Sequence, residues 1–137
     1  MDPGKITGIA VWIDGALDEQ RTGEYTPDEV YAFLTAECGN IEHLQCEWFT
    51  ISERTVRTEV DYHALHLIGA ALYHAWLCAT PVTFSNPGEA KGQFPDAALR
   101  QAQMWHRSDH VRDATRHLCR YLVGARIVSP RSFLLTD

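Results

Sequence analysis

The order in which strand-like and helix-like segments alternate constrains this chain more than any other feature of its sequence. Short β-branched or alternating runs predict strands, and longer runs with apolar residues three and four apart predict helices. The predicted strands cover residues 6–13, 18–25, 43–51 and 81–84, and the predicted helices cover residues 26–38, 62–79, 95–104 and 108–125. Strands that alternate with helices in this way indicate an α/β layered domain with a mixed sheet.

Local signals at the helix ends support these boundaries. Thr26 and Pro27, followed at once by two acids, form the signature of a capped helix start, and Gly39 marks the end of that helix. Ser108 or Asp109 is expected to cap the last helix. The predicted buried faces are Tyr62, Leu65, Ile68, Leu72 and Trp76 in the helix 62–79, and Val111, Ala114, Leu118, Leu122 and Ala125 in the last helix.

Chain length and composition limit the size and class of the protein. The 137 residues, of which 45% are hydrophobic, suffice for one core but not for two full domains, so residues 1–137 are expected to form a single domain. The longest apolar stretches are far shorter than the roughly 18–20 residues of a membrane span, and the first residues do not form a basic-then-apolar signal pattern. We therefore expect a soluble, cytoplasmic protein with no membrane partner.

Charge is unevenly distributed along the chain. The formal net charge is −6, but residues 1–68 carry four Lys or Arg against thirteen Asp or Glu, whereas residues 69–137 carry eight against five. A basic face can therefore exist on an acidic protein, as binding to nucleic acid requires. This distribution permits a nucleic-acid partner without demanding one.

The four cysteines do not form the pattern of a metal site or a disulfide framework. Cys38, Cys46, Cys78 and Cys119 are widely separated, include no C-x-x-C pair and lie in apolar segments. We expect buried free thiols in a reducing compartment. Zinc is not favoured either, because Cys119 points away from the histidines of the last helix and no ligand spacing fits a known frame.

Three short segments carry acids that invite a functional explanation. Asp2 precedes a Pro-Gly turn that feeds the first strand, and Glu47 interrupts a run of strand-forming residues. In the last helix His110, Asp113 and His117 share one face beside the apolar stripe, at 100° per residue. Each segment also has an ordinary structural explanation: a solvent-facing strand position for Glu47, and a solvated face with i,i+4 charge pairs for the helix.

Taken in this order, the three segments resemble a known family. Their motifs are Asp2-Pro3-Gly4-x-x-Thr7-Gly8 at the start, Glu47 within a strand and His110-x-x-Asp113-Ala114 in the last helix. These are similar to the motifs of RuvC-like Holliday junction resolvases in the ribonuclease H superfamily, and residues 62–76 and 86–94 extend the resemblance over nearly the whole chain. It implies a ribonuclease H-like mixed sheet flanked by helices. The small size is similar to that of the bacteriophage type.

The family's first catalytic Asp ends a hydrophobic strand in the centre of the sheet. Here only Met1 precedes Asp2. The resemblance therefore implies that the first central strand is missing or truncated, or that it is encoded upstream of Met1.

The resemblance implies a metal-dependent endonuclease that acts on branched DNA, as in Holliday junction resolution, and that works as a homodimer. Two ions about 4 Å apart on shared carboxylates would activate a water and stabilise the leaving oxygen, and such ligands suit Mg²⁺ or Mn²⁺. The implied metal ligands are Asp2, Glu47, His110 and Asp113. The implied DNA contacts are Lys91 at the scissile phosphate, Arg54 and Arg57 in the loop after the Glu47 strand, Phe49 as a stacking group, and Arg112, Arg116 and Arg120 on a basic ridge of the last helix.

Three alternatives stay open. Asp109 could take the place of His110 as the fourth ligand, because the two are neighbours at the start of the helix. The chain could be a catalytically inactive ribonuclease H-like scaffold that binds branched nucleic acid or a protein partner. It could also be a nuclease that acts on RNA or on RNA–DNA hybrids.

Overall fold

The protein is described by a computed structural model that covers residues 1–49, 62–86 and 88–133. Its strands are β1 Thr7–Ile9, β2 Trp12–Ile13, β3 Ala16–Leu17, β4 Gly23–Tyr25, β5 Leu44–Glu47 and β6 Val82–Ser85. Its helices are α1 Pro27–Ala36, α2 Tyr62–Cys78, α3 Glu89–Gln93, α4 Asp96–Gln101 and α5 Asp109–Gly124, followed by a 3₁₀ turn at Pro130–Phe133. The predicted α/β class is confirmed. None of the described helices is long and apolar enough to cross a membrane.

The strands form three short pairs rather than one continuous sheet. β1 pairs antiparallel with β4, β2 pairs antiparallel with β3, and β5 pairs parallel with β6. The predicted strand 6–13 is therefore interrupted after Ile9, and the chain turns at Asp14 and Gly15, which both have positive φ. The sheet is truncated as predicted.

Met1 and Asp2 connect β1 to β5. The Met1 nitrogen donates to the Gln45 carbonyl at 2.7 Å, and the Glu47 amide donates to the Met1 carbonyl at 2.9 Å. Asp2 and Gly8 donate to each other's carbonyls at 2.9 and 3.1 Å. Hydrogen bonds on both sides thus hold Asp2 in the middle of the strand layer.

The helix starts form as predicted. The Thr26 hydroxyl accepts a hydrogen bond from the Glu29 amide at 3.4 Å, while the Glu29 carboxylate accepts one from the Thr26 amide at 2.7 Å. This capping box satisfies donors that the start of α1 would otherwise leave free. At α5 the Ser108 hydroxyl accepts from the Val111 amide at 3.3 Å. Ser108 is therefore the cap, and Asp109 is the first residue of the helix.

α2 buries the predicted Ile68, but three other residues of its predicted buried face are exposed. Tyr62, Leu72 and Trp76 are exposed, with Trp76 at 77%. The buried residues are Ala64, Leu67, Ile68, Ala71 and Ala75. Because apolar residues occur on all sides of α2, the periodicity of its sequence does not indicate one buried face. Its small alanines allow α2 to pack against α1, and the large rings remain outside.

Helices cover the strand layer on both sides. α1 and α2 pack on one side, in a hydrophobic cluster that includes Ile9, Val30 and Leu67. α5 lies across β1 and β5 on the other side, and with α4 it encloses a second cluster that includes Leu99 and Leu122. The buried members of the predicted α5 stripe are Val111, Ala114 and Leu122, whereas Ala125 is exposed. This layered order places β1, β5 and the start of α5 next to one another.

Two of the four cysteines form a disulfide, and the prediction of free thiols is wrong for them. Cys38, just after α1, is bonded to Cys78 at the end of α2, with 5.7 Å between their Cα atoms. Spacing along the sequence cannot show that these two helix ends lie side by side. Cys46 and Cys119 are free and buried as predicted. Burial raises the pKa of Cys46 to about 11 and that of Cys119 to about 12, so both thiols are unreactive at neutral pH.

Candidate active site

The motif around Asp2 has a structural explanation at each of its small residues. The Thr7 hydroxyl donates to the Gly4 carbonyl at 3.1 Å and accepts from the Gly4 amide at 3.3 Å, which closes the turn between Asp2 and β1. Gly8 lies against the first turn of α5, where a Cβ atom would stand 1.9 Å from the His110 carbonyl oxygen. The absence of a side chain at Gly8 therefore allows Asp2 and α5 to approach each other.

His110 is the residue of α5 that contacts Asp2. Its Nδ1 lies 3.3 Å from Oδ2 of Asp2, and its side chain is 51% exposed. Asp109 is 82% exposed and pairs with Arg112 instead. The geometry thus favours His110 over Asp109 as the partner of Asp2.

Glu47, at the end of β5, is held by a buried chain of hydrogen bonds. His117 Nε2 lies 2.6 Å from Oε2 of Glu47, and His117 Nδ1 lies 2.6 Å from the Ser85 hydroxyl. The Gln45 side chain donates to the same hydroxyl at 3.0 Å. The Ser85 hydroxyl can then donate a hydrogen bond to Nδ1 of His117. In that arrangement a neutral imidazole carries its proton on Nε2, which faces Glu47. This chain fixes the orientation of the Glu47 carboxylate.

Asp113 lies one helical turn beyond His110 and has two cationic partners. Lys91 from α3 stands 2.7 Å from its Oδ2, and Arg116 pairs with its Oδ1. Asp113, Lys91 and Arg116 line a cavity of about 50 Å³ together with Glu47 and His117. Glu47 and Asp113 therefore face the same small space from β5 and α5.

Among these acids, Asp2 has a pKa that its surroundings raise. Burial first, then the charge of Glu47 and to a smaller degree that of Asp113, raise the pKa of Asp2 from its ordinary value of 3.8 to about 6, against the opposing effect of the His110 hydrogen bond. Mutual repulsion of this kind requires the carboxylates to be close. Of the predicted ligands, Asp2 thus contacts His110, and Glu47 and Asp113 line one cavity, with the predicted Lys91 beside Asp113.

The donor types in this cluster fit a hard divalent cation, because three of them are carboxylates. Their arrangement does not yet converge on one point: among the described residues no three His, Cys, Asp or Glu side chains are placed to hold a metal ion. The carboxylates pair instead with His110, His117, Lys91 and Arg116.

The structure supports the predicted DNA contacts less well than the predicted ligands. Arg112 and Arg116 do not form a solvent-facing ridge, because their side chains are only 14% and 10% exposed and both pair with Asp96 of α4. Arg120 pairs with Glu89 at 2.8 Å. Phe49 is half-buried against the core of the α1 side. The other two predicted contacts, Arg54 and Arg57, lie outside the described residues.

Sequence reasoning missed the two residues that orient Glu47. His117 carried a usable signal, since helical spacing places it on the same face as His110 and Asp113. Ser85 carried none, because it is a small polar residue at the end of a short strand whose pairing with β5 is not visible in the sequence.

The truncated mixed sheet, with helices on both faces, defines a ribonuclease H-like fold. Two solved structures of RuvC from T. thermophilus are similar to this chain. RuvC in complex with a Holliday junction substrate superposes with a TM-score of 0.64 at 19% sequence identity, over 92% of each chain. A second RuvC structure gives a TM-score of 0.58 at 18% identity, covering 92% of this chain and 95% of that chain.

At this level of identity the likeness establishes a RuvC-like fold and does not extend to a bacteriophage type. No protein-family model and no curated protein sequence matches the chain.

Proposed function

We propose that this protein is a structure-selective endonuclease that hydrolyses phosphodiester bonds in branched DNA and resolves four-way junctions. The observation that carries the proposal is that Asp2 contacts His110, while Glu47 and Asp113 line one small cavity, within a RuvC-like fold. RuvC from T. thermophilus, solved with a Holliday junction substrate, supports this class of substrate. The small size of the chain supports, as a further proposal, the bacteriophage type.

Two divalent ions, Mg²⁺ or Mn²⁺, complete the proposed site, with Asp2, Glu47, His110 and Asp113 as ligands. When bound, they supply an activated water and stabilise the leaving oxygen. The raised pKa of Asp2 supports this proposal, because burial and the charge of Glu47 both disfavour its ionised form, which a bound cation would favour.

The protein's own residues prepare the site in distinct ways. His117 and Ser85 orient Glu47, and Gly8 sets the approach of Asp2 to α5. Lys91 is 60% exposed and rests on Asp113. With a metal ion bound to Asp113, Lys91 would be available to contact the scissile phosphate as a point charge.

We propose a homodimer as the working form, because a four-way junction presents two symmetric strands for cutting. The exposed apolar residues on the outer face of α2 support self-association. They are Tyr62, Leu72, Tyr73, Trp76 and Leu77.

Cleavage of labelled substrates in Mg²⁺ and in Mn²⁺ tests the proposal. The substrates are a four-way junction, a flap, a plain duplex and an RNA–DNA hybrid, and the proteins are the parent, Asp113→Asn and the matched control Asp109→Asn on the same helix. We expect the parent and the control to cut the junction in preference to duplex. Asp113→Asn should bind the junction without cutting it.

The inactive-scaffold alternative is favoured by one observation, that each carboxylate already has an intramolecular partner. It predicts that the parent and Asp113→Asn bind the junction equally and that neither cuts it. Cutting of the hybrid in preference to the junction would instead assign the protein to the RNA-directed nucleases.

A further inference from the structure

One face of the β5–β6 pair is polar and lies against α5. Residues two apart in a strand point to the same side of a sheet. The polar residues that share this face are His43, Gln45 and Glu47 on and beside β5, and Thr83 and Ser85 on β6. The opposite face belongs to the hydrophobic cluster on the α1 side, with Leu44, Cys46 and Phe84. Polar groups that are partly buried against a helix need hydrogen-bond partners.

The polar side chains of this face form one continuous series of hydrogen bonds. His43 Nε2 lies 2.7 Å from the Thr83 hydroxyl oxygen, and that oxygen lies 2.6 Å from Oε1 of Gln45. Nε2 of Gln45 lies 3.0 Å from the Ser85 hydroxyl oxygen. The series therefore leads from His43 to the hydroxyl that bonds the buried imidazole beside Glu47.

α5 holds this series at both ends. His117 and Tyr121 lie one turn apart on α5. His117 bonds to the inner end of the series, and the His43 ring stacks on the Tyr121 ring, with 3.9 Å between ring centroids and 11° between ring planes. The spacing of two residues on one helix thus matches the length of the series on the two strands.

The Gln45 side-chain amide gives the series a direction. Its Nε2 also lies 3.4 Å from the Cys46 carbonyl oxygen, which can only accept. The amide nitrogen therefore faces Cys46 and Ser85, and the amide oxygen faces Thr83. Because Thr83 donates its single hydroxyl proton to that oxygen, His43 Nε2 must donate to Thr83.

The same direction continues to the candidate site. Ser85 accepts from Gln45, so its single hydroxyl proton is directed to Nδ1 of His117. A neutral His117 then carries its proton on Nε2, toward Glu47. If the Gln45 amide were turned over, Ser85 would donate to the amide oxygen and accept from Nδ1. His117 would then present a lone pair to the Glu47 carboxylate.

We propose that Gln45, Thr83 and His43 are positioning residues of the candidate site, because their one-way series of donors determines which nitrogen of His117 carries the proton. His117 then donates to Oε2 of Glu47 and restricts the rotation of that carboxylate before substrate binds. The effect of the series on cleavage rests on the proposed nuclease function, whereas its control of His117 does not.

Nitrogen NMR of the full chain with isotope-labelled histidines tests the proposal without DNA or metal. The parent should carry the His117 proton on Nε2 and none on Nδ1. In Gln45→Glu a carboxylate of nearly the same shape can only accept from Ser85, so the Ser85 hydroxyl turns toward it and Nδ1 of His117 should gain a proton. Gln101→Glu, the same change at an exposed position of α4, should leave His117 as in the parent. An Nδ1 that stays unprotonated in Gln45→Glu would overturn the proposal.

Thr83→Val and Thr83→Ser form a second pair, which does not depend on the folding of Gln45→Glu. The valine removes the hydroxyl that holds the Gln45 amide, and the serine keeps it. Exchange of the Gln45 side-chain amide protons with water should be roughly threefold faster or more in Thr83→Val than in Thr83→Ser. Equal exchange rates would overturn the roles of Thr83 and His43.

Junction cleavage shows whether the series acts on the proposed reaction. Gln45→Glu should lower cleavage by roughly tenfold or more while junction binding is kept, and Gln101→Glu should cut like the parent. Full cleavage by a Gln45→Glu protein whose Nδ1 is protonated would overturn the positioning role. A parent that cuts no junction would instead overturn the proposed function, and the NMR result would still decide whether the series controls His117.

Discussion

At the residue scale, Asp2 takes part both in the backbone pairing of the strand layer and in the charge interactions of the candidate site. Its amide and carbonyl pair with Gly8, and its carboxylate is only 15% exposed beside two other acids. A carboxylate in this position costs folding energy whenever it is ionised. The site therefore opposes stability in the absence of a compensating cation.

This cost predicts a pH dependence of stability. Since the pKa of Asp2 is raised from 3.8 to about 6 on folding, the folded protein holds this proton more tightly than the unfolded chain. Stability attributable to Asp2 therefore falls as pH rises from about 4 to about 6, and stays reduced above that range. Asp2→Asn should be more stable than the parent by about 2–3 kcal/mol at pH 7.5 and nearly equal to it at pH 4.

Urea unfolding at pH 4 and pH 7.5 in a chelating buffer measures this difference. Asp109→Asn is the matched control, because Asp109 is 82% exposed and its replacement should change stability little at either pH. A gain for Asp2→Asn that is the same at both pH values would contradict the raised pKa.

A second prediction at this scale concerns His117. It is 2% exposed and links Ser85 to Glu47, so we expect it to position Glu47 for the proposed reaction. His117→Ala should lower junction cleavage by roughly 10–100-fold while junction binding is kept. His117→Gln, which can still donate to Glu47, should recover part of the rate. Loss of cleavage in strict proportion to loss of folded protein, with no recovery by Gln, would assign His117 a purely structural role.

At the element scale, the contact between β1 and α5 determines how closely the acids meet. A Cβ atom on Gly8 would stand 1.9 Å from the His110 carbonyl oxygen and 2.9 Å from the Val111 nitrogen. These are backbone atoms at the start of a capped helix, so they cannot move aside as a flexible side chain can. β1 and α5 would have to separate.

Gly8→Ala should therefore destabilise the protein by roughly 3 kcal/mol or more and move His110 away from Asp2. Gly69→Ala is the matched control, because Gly69 lies within α2 with nothing within 4 Å of its added Cβ. That change should be neutral or stabilising by up to about 1 kcal/mol. Thermal and urea unfolding of the two variants measure the difference, and equal effects would refute the proposed close contact.

The elements also show which parts of the fold the sequence can predict. The α1 capping box and the Ser108 cap depend on neighbours within three residues, so sequence alone identifies them. The strand 6–13 is predicted too long, because its interruption depends on which strand lies beside it. The face of α2 is predicted correctly at Ile68 and wrongly at Tyr62, Leu72 and Trp76, because alanines rather than these larger residues pack in the interior. The Cys38–Cys78 bond depends on the same packing.

The residues of the candidate site also divide into those that the sequence can predict and those that it cannot. The sequence predicts Asp2, Glu47, His110 and Asp113 as a group because their order along the chain resembles that of a known family. Their partners are not, since the burial of Arg116 depends on Asp96, which lies twenty residues away on α4. The predicted basic ridge fails for this reason: a helical wheel gives direction but not the neighbour that an arginine meets.

At the scale of the whole molecule, the candidate site and the largest group of exposed apolar residues lie on different elements. The candidate site is built by the chain start, β5, α3 and α5, whereas five of the exposed large apolar residues lie on α2. Tyr73 and Trp76 approach each other with 6.2 Å between ring centroids, and both are more than half exposed. An apolar surface of this kind on a soluble protein is typical of an interaction site. A dimer formed there would leave the acids free to meet DNA.

We therefore predict that the protein self-associates through α2. Trp76→Glu places a charge at the most exposed ring, where burial in a dimer would leave it unpaired, so the variant should be monomeric at concentrations at which the parent is a dimer. Ile127→Glu is the control, because Ile127 is also exposed, at 54%, but lies beyond α5. Sedimentation equilibrium measures both, and unfolding curves verify that each variant is folded. A parent that is monomeric, or a dimer that survives Trp76→Glu but not Ile127→Glu, would exclude α2 as the interface.

If the α2 dimer forms, Trp76→Glu should also convert paired cutting of a four-way junction into single nicks, because each monomer carries one complete set of acids and can cut only one strand at a time.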